Sequence, residues 1–321
     1  MTHCLILNPG AGTADTMETL RAALDAAGVV VRETTAEGQA ADVAEAAARE
    51  GFDVVAAAGG DGTINEVVGG LMRLPQAERP AFGVIPMGTG NDLARTLALS
   101  TEPEEALALL LRGRTTPLDV FRLDAEGRVR YGVNVAAGGF SGAVNEAMTA
   151  ELKKSWGPLA YLIGAVKALP EITPFRVTIQ MDDAPVQSLD LFNVFVSNGR
   201  FVAGGKLVAP LASVEDGLLD VVIVRVMSGA DMALMTARFV TGTHLESPHV
   251  ETIRARRVVL ESDPGMLFNV DGELVTHEPV TFTVEPAALR VVSGDDYEAG
   301  GGPLLGAMGA SNLASAAEPG V

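Results

Sequence analysis

The chain has 321 residues, of which 48% are hydrophobic and 20% charged, and its formal net charge is −18. This length suits two domains of ordinary size, and the composition excludes a disordered chain. The negative charge argues against nucleic acid as a partner and against adsorption to anionic lipid by bulk charge. There is no run of roughly eighteen apolar residues and no signal-peptide pattern, so we expect a cytoplasmic protein without a transmembrane segment.

The first third of the chain repeats a short apolar run, a loop and a helical pattern. Strands are predicted at residues 3–7, 29–32, 54–58 and 81–85, with helices at about 15–28, 40–50, 64–71, 93–99 and 103–112. Asp15 with Glu18 and Thr63 with Glu66 predict capping boxes, and Asn91 or Asp92 is expected to cap the fourth helix. Repeated βα units predict an α/β domain with a parallel sheet, whose ligands lie beyond the carboxyl ends of the strands.

Two glycine-rich loops fall at those strand ends, GGDGT at 59–63 and GTGND at 88–92. Glycines leave room for a ligand, and the helix that follows offers unpaired N–H groups, a combination that binds phosphate. The alternative is that each loop is only a tight turn. Asp61 favours the first interpretation, because an acid beside a phosphate site suggests a metal ion or proton transfer.

The second half of the chain has the pattern of antiparallel β structure. Strands are predicted at residues 175–181, 191–197, 219–226, 257–261, 267–270, 280–284 and 289–292, and helices at about 159–169 and 231–241. We therefore expect a nucleotide-binding α/β domain at 1–117 and a mainly antiparallel β-sandwich at 118–293. The Gly- and Ala-rich tail, 294–321, is either mobile or packed back on the first domain.

Further motifs match one family over nearly the whole chain. They are NPGAG, TTAEGQA, GGDGTINE and GTGNDLAR in the first domain, then NVAAGGF (134–140), NGRFVAGGKLVAP (198–210), EDGLLD (215–220) and NVDGE (269–273). Their order and spacing resemble the diacylglycerol-kinase-type lipid kinases, which include bacterial diacylglycerol kinases, YegS-like proteins, and sphingosine and ceramide kinases. GGDGT alone also resembles the loop of NAD kinases and phosphofructokinases, but GTGND, EDGLLD and VDGE favour lipid kinases.

The resemblance implies ATP and Mg²⁺, with the γ-phosphoryl group transferred to a lipid hydroxyl, as from diacylglycerol to phosphatidic acid. Phosphoryl transfer needs alignment, charge neutralisation and a base for the acceptor. The nucleotide-binding residues that the family implies are Asn8, Pro9, Gly10, Ala11, Gly12, Thr34, Gly60, Asp61, Gly62, Thr63, Ile64, Asn65, Glu66, Gly88 and Thr89.

Three acids are candidates for the general base: Asp61, Asp271 and Glu273. Resemblance to bacterial diacylglycerol kinases favours Glu273, whereas sphingosine kinases point to Asp61. Asp-Gly between apolar runs is also a strong hairpin signal, so Asp271 has a purely structural alternative.

A structural Mg²⁺ is implied by the same resemblance in the SVEDGLL segment. Its ligands would be the Asp216 carboxylate and main-chain oxygens of Ser213 and Leu218, with a plain turn as the alternative. Asp119 would belong to a supporting charge network.

The expected partner is a lipid presented at the inner face of the membrane, where the protein binds transiently. Its basic groups are small, Lys153 with Lys154 beside Trp156, and three arginines at 254–257. The sequence leaves the oligomeric state open and allows a homodimer. Two other functions stay open: a soluble kinase of the NAD-kinase type, and a catalytically silent nucleotide-binding regulator.

Overall fold

The protein is represented by a computed structural model that describes residues 1–36, 38–139, 174–271, 273–276 and 279–299. The helix predicted at 159–169, the lysine pair at 153–154 and residues 300–321 of the tail lie outside the described residues.

Strands and helices alternate through the first part of the chain. The strands are β1 (His3–Leu7), β2 (Val30–Glu33), β3 (Val54–Gly59) and β4 (Ala81–Pro86). The helices are α1 (Ala14–Ala27), α2 (Gln39–Arg49), α3 (Asp61–Leu71), α4 (Asp92–Thr96) and α5 (Pro103–Arg112). The strands pair in parallel in the order β2-β1-β3-β4, so the loops after β1, β3 and β4 lie at one edge.

Small side chains bring the helices close to the sheet and to one another. All six residues of β3 are buried, and α2 buries five alanines. A Cβ on Gly70 of α3 would lie 2.1 Å from the carbonyl oxygen of Ala41 in α2, so only glycine permits this approach. The contact fixes α2 and α3, which flank the loops considered below.

The second part of the chain is built mainly from antiparallel strands. They are β5 (Thr115–Ala125), β6 (Arg128–Gly132), β7 (Val135–Gly139), β8 (Phe175–Met181), β9 (Gln187–Ser197), β10 (Phe201–Val202), β11 (Lys206–Leu207), β12 (Leu219–Arg225), β13 (Val250–Ala255), β14 (Arg257–Asp263), β15 (Phe268–Val270), β16 (Glu273–Thr276) and β17 (Val280–Val292). One helix, α6 (Gly229–Thr241), lies between β12 and β13. The second apolar core forms between these strands and includes Phe121, Phe268 and Phe282.

The long strand β17 joins the two parts. It pairs antiparallel with β14 and β5, and near its end Val291 lies opposite Phe82 of the parallel strand β4. The described strands thus form one fifteen-stranded sheet plus the separate β10-β11 hairpin. The sequence predicted two strands here, at 280–284 and 289–292, and this was wrong. A bulge between Glu285 and Leu289 absorbs the interruption while pairing to β5 continues.

The predicted fold class is confirmed: an α/β part with parallel strands is followed by an antiparallel β-sandwich. The proposed division at 117/118 falls inside β5. Beyond residue 293, the described end of the chain contacts the first part: Arg112 and Asp295 are 2.8 Å apart, and Tyr297 joins the first core.

The cap predicted for α1 was wrong. Thr13, not Asp15, is the N-cap, and its side chain accepts a hydrogen bond from Thr16 N. Both residues have cap chemistry, and the helix extends two residues further toward the N-terminus than the Asp15–Glu18 pattern indicates.

Candidate functional site

The two glycine-rich loops touch at the edge of the sheet. They follow the neighbouring parallel strands β3 and β4, in which Gly59 lies opposite Pro86. A Cβ on Gly88 would lie 2.6 Å from Gly60 Cα, whereas real Cβ atoms almost never come within 3.0 Å of another atom. The loops therefore meet backbone to backbone because Gly88 has no side chain.

The carboxylate of Asp61 ties these loops together. Asp61 is the first residue of α3, and it accepts hydrogen bonds from Asn91 N at 3.1 Å and Asp92 N at 3.2 Å. Burial, assisted by the neighbouring charge of Asp92, raises the pKa of Asp61 to about 6. The group can therefore exchange a proton near neutral pH.

Asn91 closes the second loop on itself. Its side chain accepts from Gly88 N at 3.0 Å and donates to Gly88 O at 2.8 Å, and its φ of 54° lies in the left-handed region. Asn91 is the N-cap residue of α4, as one of the two predicted caps, although its side chain makes no capping hydrogen bond to the helix. Arg95 donates to Gly90 O within the same loop.

Asp92 connects the loop to the second part of the chain. Its carboxylate accepts from Gly204 N at 3.1 Å and Gly205 N at 2.6 Å, both between β10 and β11. It therefore does not cap α4, which was the other predicted cap. Asp92 is 6% exposed, and burial raises its pKa. The GTGND loop and the β10-β11 hairpin are thus held together by one buried acid.

Asp271 is buried at the β15-β16 turn. Its carboxylate accepts from Val133 N at 2.9 Å, Asn134 N at 3.1 Å and Val135 N at 2.9 Å. Burial raises the pKa of Asp271 to about 7, against the effect of these three donors, and the charge of Asp61 adds to the rise. The hairpin predicted at Asp271 is present, since Val270 pairs with Glu273.

A cavity of about 580 Å³ opens beside the first loop. Its lining consists of Asn8, Pro9, Gly10, Thr34, Thr35, Ala36, Ala40, Gly60, Gly62, Thr63 and Glu66. Asn8 orders one wall, because its side chain donates to Thr63 Oγ1 at 3.2 Å and accepts from Gly10 N at 2.9 Å. Exposed backbone N–H groups beside a helix N-terminus suit phosphate oxygens.

Glu66 shapes another wall of this cavity. Its carboxylate accepts from Gly38 N and Ala40 N, each at 3.0 Å, and so caps the N-terminus of α2, which has no side-chain cap of its own. The predicted Thr63–Glu66 capping box was wrong, because α3 starts at Asp61 with Gly60 as its N-cap. Glu66 instead fixes the neighbouring helix.

Comparison with known proteins identifies the family. Residues 2–123 match the model of the diacylglycerol kinase catalytic domain, and residues 134–293 match the YegS C-terminal NAD kinase beta sandwich-like domain. A protein of Chromohalobacter salexigens named probable lipid kinase YegS-like is 35% identical over 81% of this chain and 82% of its own. The diacylglycerol kinase of Bacillus subtilis is 35% identical over 75% of this chain and 77% of its own. The chain belongs to the diacylglycerol kinase and YegS-like family of lipid kinases.

A solved structure shows that the kinase shares its fold with a distant relative. The crystal structure of a diacylglycerol kinase from Bacillus anthracis matches with a TM-score of 0.70 at 22% identity, covering 92% of this chain and 98% of that one. Among the described residues of the kinase, no helix is both long and apolar enough to cross a bilayer.

The nucleotide residues predicted for the kinase divide into four groups. Eight line the large cavity: Asn8, Pro9, Gly10, Thr34, Gly60, Gly62, Thr63 and Glu66. Ala11 and Gly12 line an adjoining cavity of about 440 Å³, while Asp61 and Gly88 lie where the loops meet and Thr89 is exposed nearby. Ile64 is 1% exposed and packs in the core, and Asn65 follows it in α3. Their roles in binding nucleotide stay predictions.

The predicted metal segment forms an acidic turn. Asp216 accepts from Leu218 N at 3.0 Å and pairs with Arg254, while Ser213 is 5% exposed. Nearby Asp220 is 1% exposed, and neither of its carboxylate oxygens has a hydrogen-bond partner. No three His, Cys, Asp or Glu side chains in the described chain could hold a metal by themselves, so main-chain oxygens would have to contribute. Oxygen donors of these kinds suit a hard cation, and the ion stays a prediction.

Asp119, predicted to support a charge network, instead binds backbone. Its carboxylate accepts from Gly217 N and Ala287 N, each at 2.6 Å, and burial raises its pKa. The acid thus fixes the acidic turn against the bulge in β17.

Sequence reasoning gave no role to two asparagines that support Asp271. Asn198 donates from its side chain to Asp119 O at 2.9 Å and Val133 O at 2.8 Å, and Asn134 O accepts from Asn198 N at 2.9 Å. Together they brace the segment whose N–H groups bind Asp271. The only available signal was their place in the NVAAGGF and NGRF motifs.

Proposed function

We propose that this chain is an ATP- and Mg²⁺-dependent lipid kinase that converts diacylglycerol to phosphatidic acid. The observation that carries the proposal is the joint between the two glycine loops, where Gly60 and Gly88 are in contact and Asp61 bonds to both Asn91 N and Asp92 N. This joint lies beside a cavity whose lining includes Gly60, Gly62 and Thr63 of the first loop. Membership in the lipid kinase family supplies the acceptor class.

The nucleotide is proposed to lie in the large cavity, with its phosphates on the loops. Gly60 and Gly62 leave the N-terminal N–H groups of α3 open to phosphate oxygens, and Gly88 and Thr89 offer the second loop. The cavity volume suits a ligand of nucleotide size. The wall at Thr34 is fixed by a hydrogen bond from Thr34 N to Leu7 O of 2.9 Å.

Transfer requires the acceptor hydroxyl to lose its proton as it attacks. In the proposed reaction a carboxylate takes that proton, the lipid oxygen bonds to the γ-phosphorus, and the bond to the β–γ bridging oxygen breaks to release ADP. Family resemblance favours Glu273 as the base. Asp61 and Asp271 are alternatives, because burial gives them pKa values of about 6 and about 7.

Mg²⁺ would supply charge neutralisation for the phosphates, a requirement the described residues do not meet alone. The described acids around the loops, Asp61, Asp92 and Asp271, all accept from backbone N–H groups, and Arg95 is the cation that contacts the second loop. At the acidic turn, Asp216 with main-chain oxygens of Ser213 and Leu218 would hold a structural ion. We place the working enzyme transiently at the inner face of the membrane.

The test is a radiolabelled-ATP screen against a panel of lipids, with NAD as an additional acceptor. We expect label in phosphatidic acid when diacylglycerol is dispersed in detergent, and about a hundredfold slower labelling with the Asp61→Asn variant. Label in NAD would support a soluble nucleotide kinase instead. ATP binding without turnover on any acceptor would identify a silent regulator.

A further inference from the structure

Helix α6 turns an uncharged face to solvent. At 100° per residue, its exposed positions form one continuous stripe of Gly229, Ala230, Ala233, Leu234, Ala237, Val240 and Thr241. Leu234 is 54% exposed and Val240 49%, and Val226, just before the helix, is 39% exposed. A surface helix ordinarily places charged residues on this side, so the stripe calls for a partner.

The other side of α6 holds it against the protein. Met235 is buried, and Phe239 packs on the third apolar core, which includes Val208 and Ala212. Ser228 caps the helix by accepting from Asp231 N at 3.2 Å, and Gly242 ends it at a φ of 76°. The apolar stripe is therefore presented by a helix that is fixed at both ends and along its inner face.

The charges that flank the stripe differ in their pairing. Asp231 accepts from the Ser228 hydroxyl at 2.7 Å and lies 3.7 Å from His249. Arg238, one helical turn after Leu234, makes no ion pair with any described residue. An apolar stripe edged by an arginine that has no ion-pair partner among the described residues has the chemistry of a helix that lies in a phospholipid interface, where the guanidinium reaches phosphate.

The stripe lies close to the site of transfer. Helix α6 contacts β11, and a Cβ on Gly242 would lie 3.8 Å from Leu207 Cδ2. The β10-β11 hairpin is in turn held to the GTGND loop by the bonds from Gly204 N and Gly205 N to Asp92. One hairpin thus separates α6 from the phosphate loops.

We propose that the outward face of α6 docks on a phospholipid surface, with Leu234 and Val240 entering the acyl boundary and Arg238 facing lipid phosphate. The inference rests on the proposed function, because a lipid acceptor must be reached at such a surface. It also gives a chain of net charge −18 a way to meet a membrane that does not require a basic patch.

A second copy of the chain is a poorer occupant for this face. A helix of 13 residues is about 20 Å long and about 10 Å wide, which gives roughly 200 Å² of contact area. A stable interface usually buries about 800 Å² on each partner. A lipid surface has no such minimum, since partial insertion of two or three apolar side chains already favours binding.

The test compares two double variants that make the same change of charge. Leu234→Glu/Val240→Glu alters the stripe, and Val30→Glu/Val186→Glu alters two valines elsewhere that are 44% and 59% exposed. Each is sedimented, without ATP, with vesicles of phosphatidylcholine and phosphatidylglycerol in equal amounts. We expect the stripe variant to bind roughly tenfold more weakly than the control variant, because two apolar side chains no longer insert. Equal binding by the two variants, or no binding by the wild type, overturns the proposal.

Three further measurements, of turnover, melting temperature and oligomeric state, test this inference separately from the proposed kinase activity. Turnover of a short-chain diacylglycerol below its micelle concentration should be the same in both double variants, and so should the melting temperature. If the wild type shows no turnover but the stripe variant binds vesicles more weakly than the control variant, the proposed activity is refuted and the docking surface is supported. If gel filtration shows that the stripe variant converts a dimer into a monomer, the face pairs two copies and the docking proposal is refuted.

Discussion

Substitution of Gly88 by alanine tests whether contact between the two glycine loops is needed for transfer. The added Cβ would lie 2.6 Å from Gly60 Cα and 3.2 Å from the Asn91 side-chain oxygen. The first neighbour is backbone and cannot rotate away. Gly88 has no positive φ, so the substitution introduces the steric conflict without a dihedral penalty.

The size of the effect follows from the distance. Carbon atoms pack best at about 3.5–4.0 Å, so the loops must separate by about 1 Å. The bonds of 3.1 Å and 3.2 Å that join Asp61 to the second loop would then exceed hydrogen-bonding length. Since a misplacement of about 1 Å can reduce a rate about a hundredfold, we expect kcat/KM to fall by about that factor. Stability should fall by only about 1–3 kcal/mol, as for other overpacked sites.

The assay is ATP- and lipid-dependent turnover together with thermal unfolding, and Gly69→Ala is the matched control. Gly69 lies in α3, and a Cβ there would meet nothing within 4 Å. Alanine should leave activity unchanged and raise stability by about 0.5–1 kcal/mol, because it is the better helix former. Wild-type kcat/KM in Gly88→Ala would refute the idea that the loops act as one phosphate site.

Four other expectations concern acids of the candidate site and of the acidic turn. Asp61→Asn should lower kcat by about a hundredfold while the fold survives; wild-type turnover would remove Asp61 from the mechanism. If Glu273 is the base, Glu273→Gln should lower kcat with little change in ATP affinity. If Asp271 is the base, Asp271→Asn should have that effect instead. Small and equal effects of both substitutions on kcat would return the role of base to Asp61. Because burial raises the pKa of Asp271 from 3.8 to about 7 in the folded chain, its contribution to stability is present below about pH 4 and is lost as pH rises to about 7. Chemical denaturation should therefore show that the unfolding free energy of the wild type falls as pH rises across this range. Asp271 accounts for at most about 4 kcal/mol of the fall, and the fall should be smaller in Asp271→Asn. Mg²⁺ without ATP should raise the melting temperature, and Asp216→Ala should abolish this increase. If Mg²⁺ does not change the melting temperature of the wild type, the segment is a plain turn without a bound ion.

Much of the first part of the fold could be predicted because its signals are local. Apolar runs of four to six residues, glycine ends and helical spacing marked β1, β3 and β4 and the helices α1 and α5 within a few residues. Seven strands of the second part were missed: β5, β6, β7, β10, β11, β13 and β16. For three of them the reason is visible in the strand itself. Two residues are too few for a period, and β13 has four partly exposed positions in succession instead of alternation.

The candidate site could be predicted in its residues but not in its bonds. The local pattern pairs Glu66 with Thr63, whereas the folded chain pairs it with Gly38 N and Ala40 N across two helices. Asp92 was assigned to its own helix, yet it binds glycines 112 and 113 residues later. Only tertiary structure brings such donors together, so a single sequence carries no periodic signal for them.

The three buried acids share one mode of binding, and this bears on what they do. Asp61, Asp92 and Asp271 each accept from consecutive backbone N–H groups of another segment. A carboxylate held in this way fixes backbone position whatever side chains the partner segment carries. For Asp92, both oxygens are used to hold the hairpin, so positioning is its role.

Asp61 and Asp271 also influence each other electrostatically, so removing a proton from one makes the second proton harder to remove. One of them therefore tends to stay protonated near neutral pH, whereas a general base must be ionised before it takes the proton of the acceptor hydroxyl. This is a physical reason to propose a third acid, Glu273, for that role.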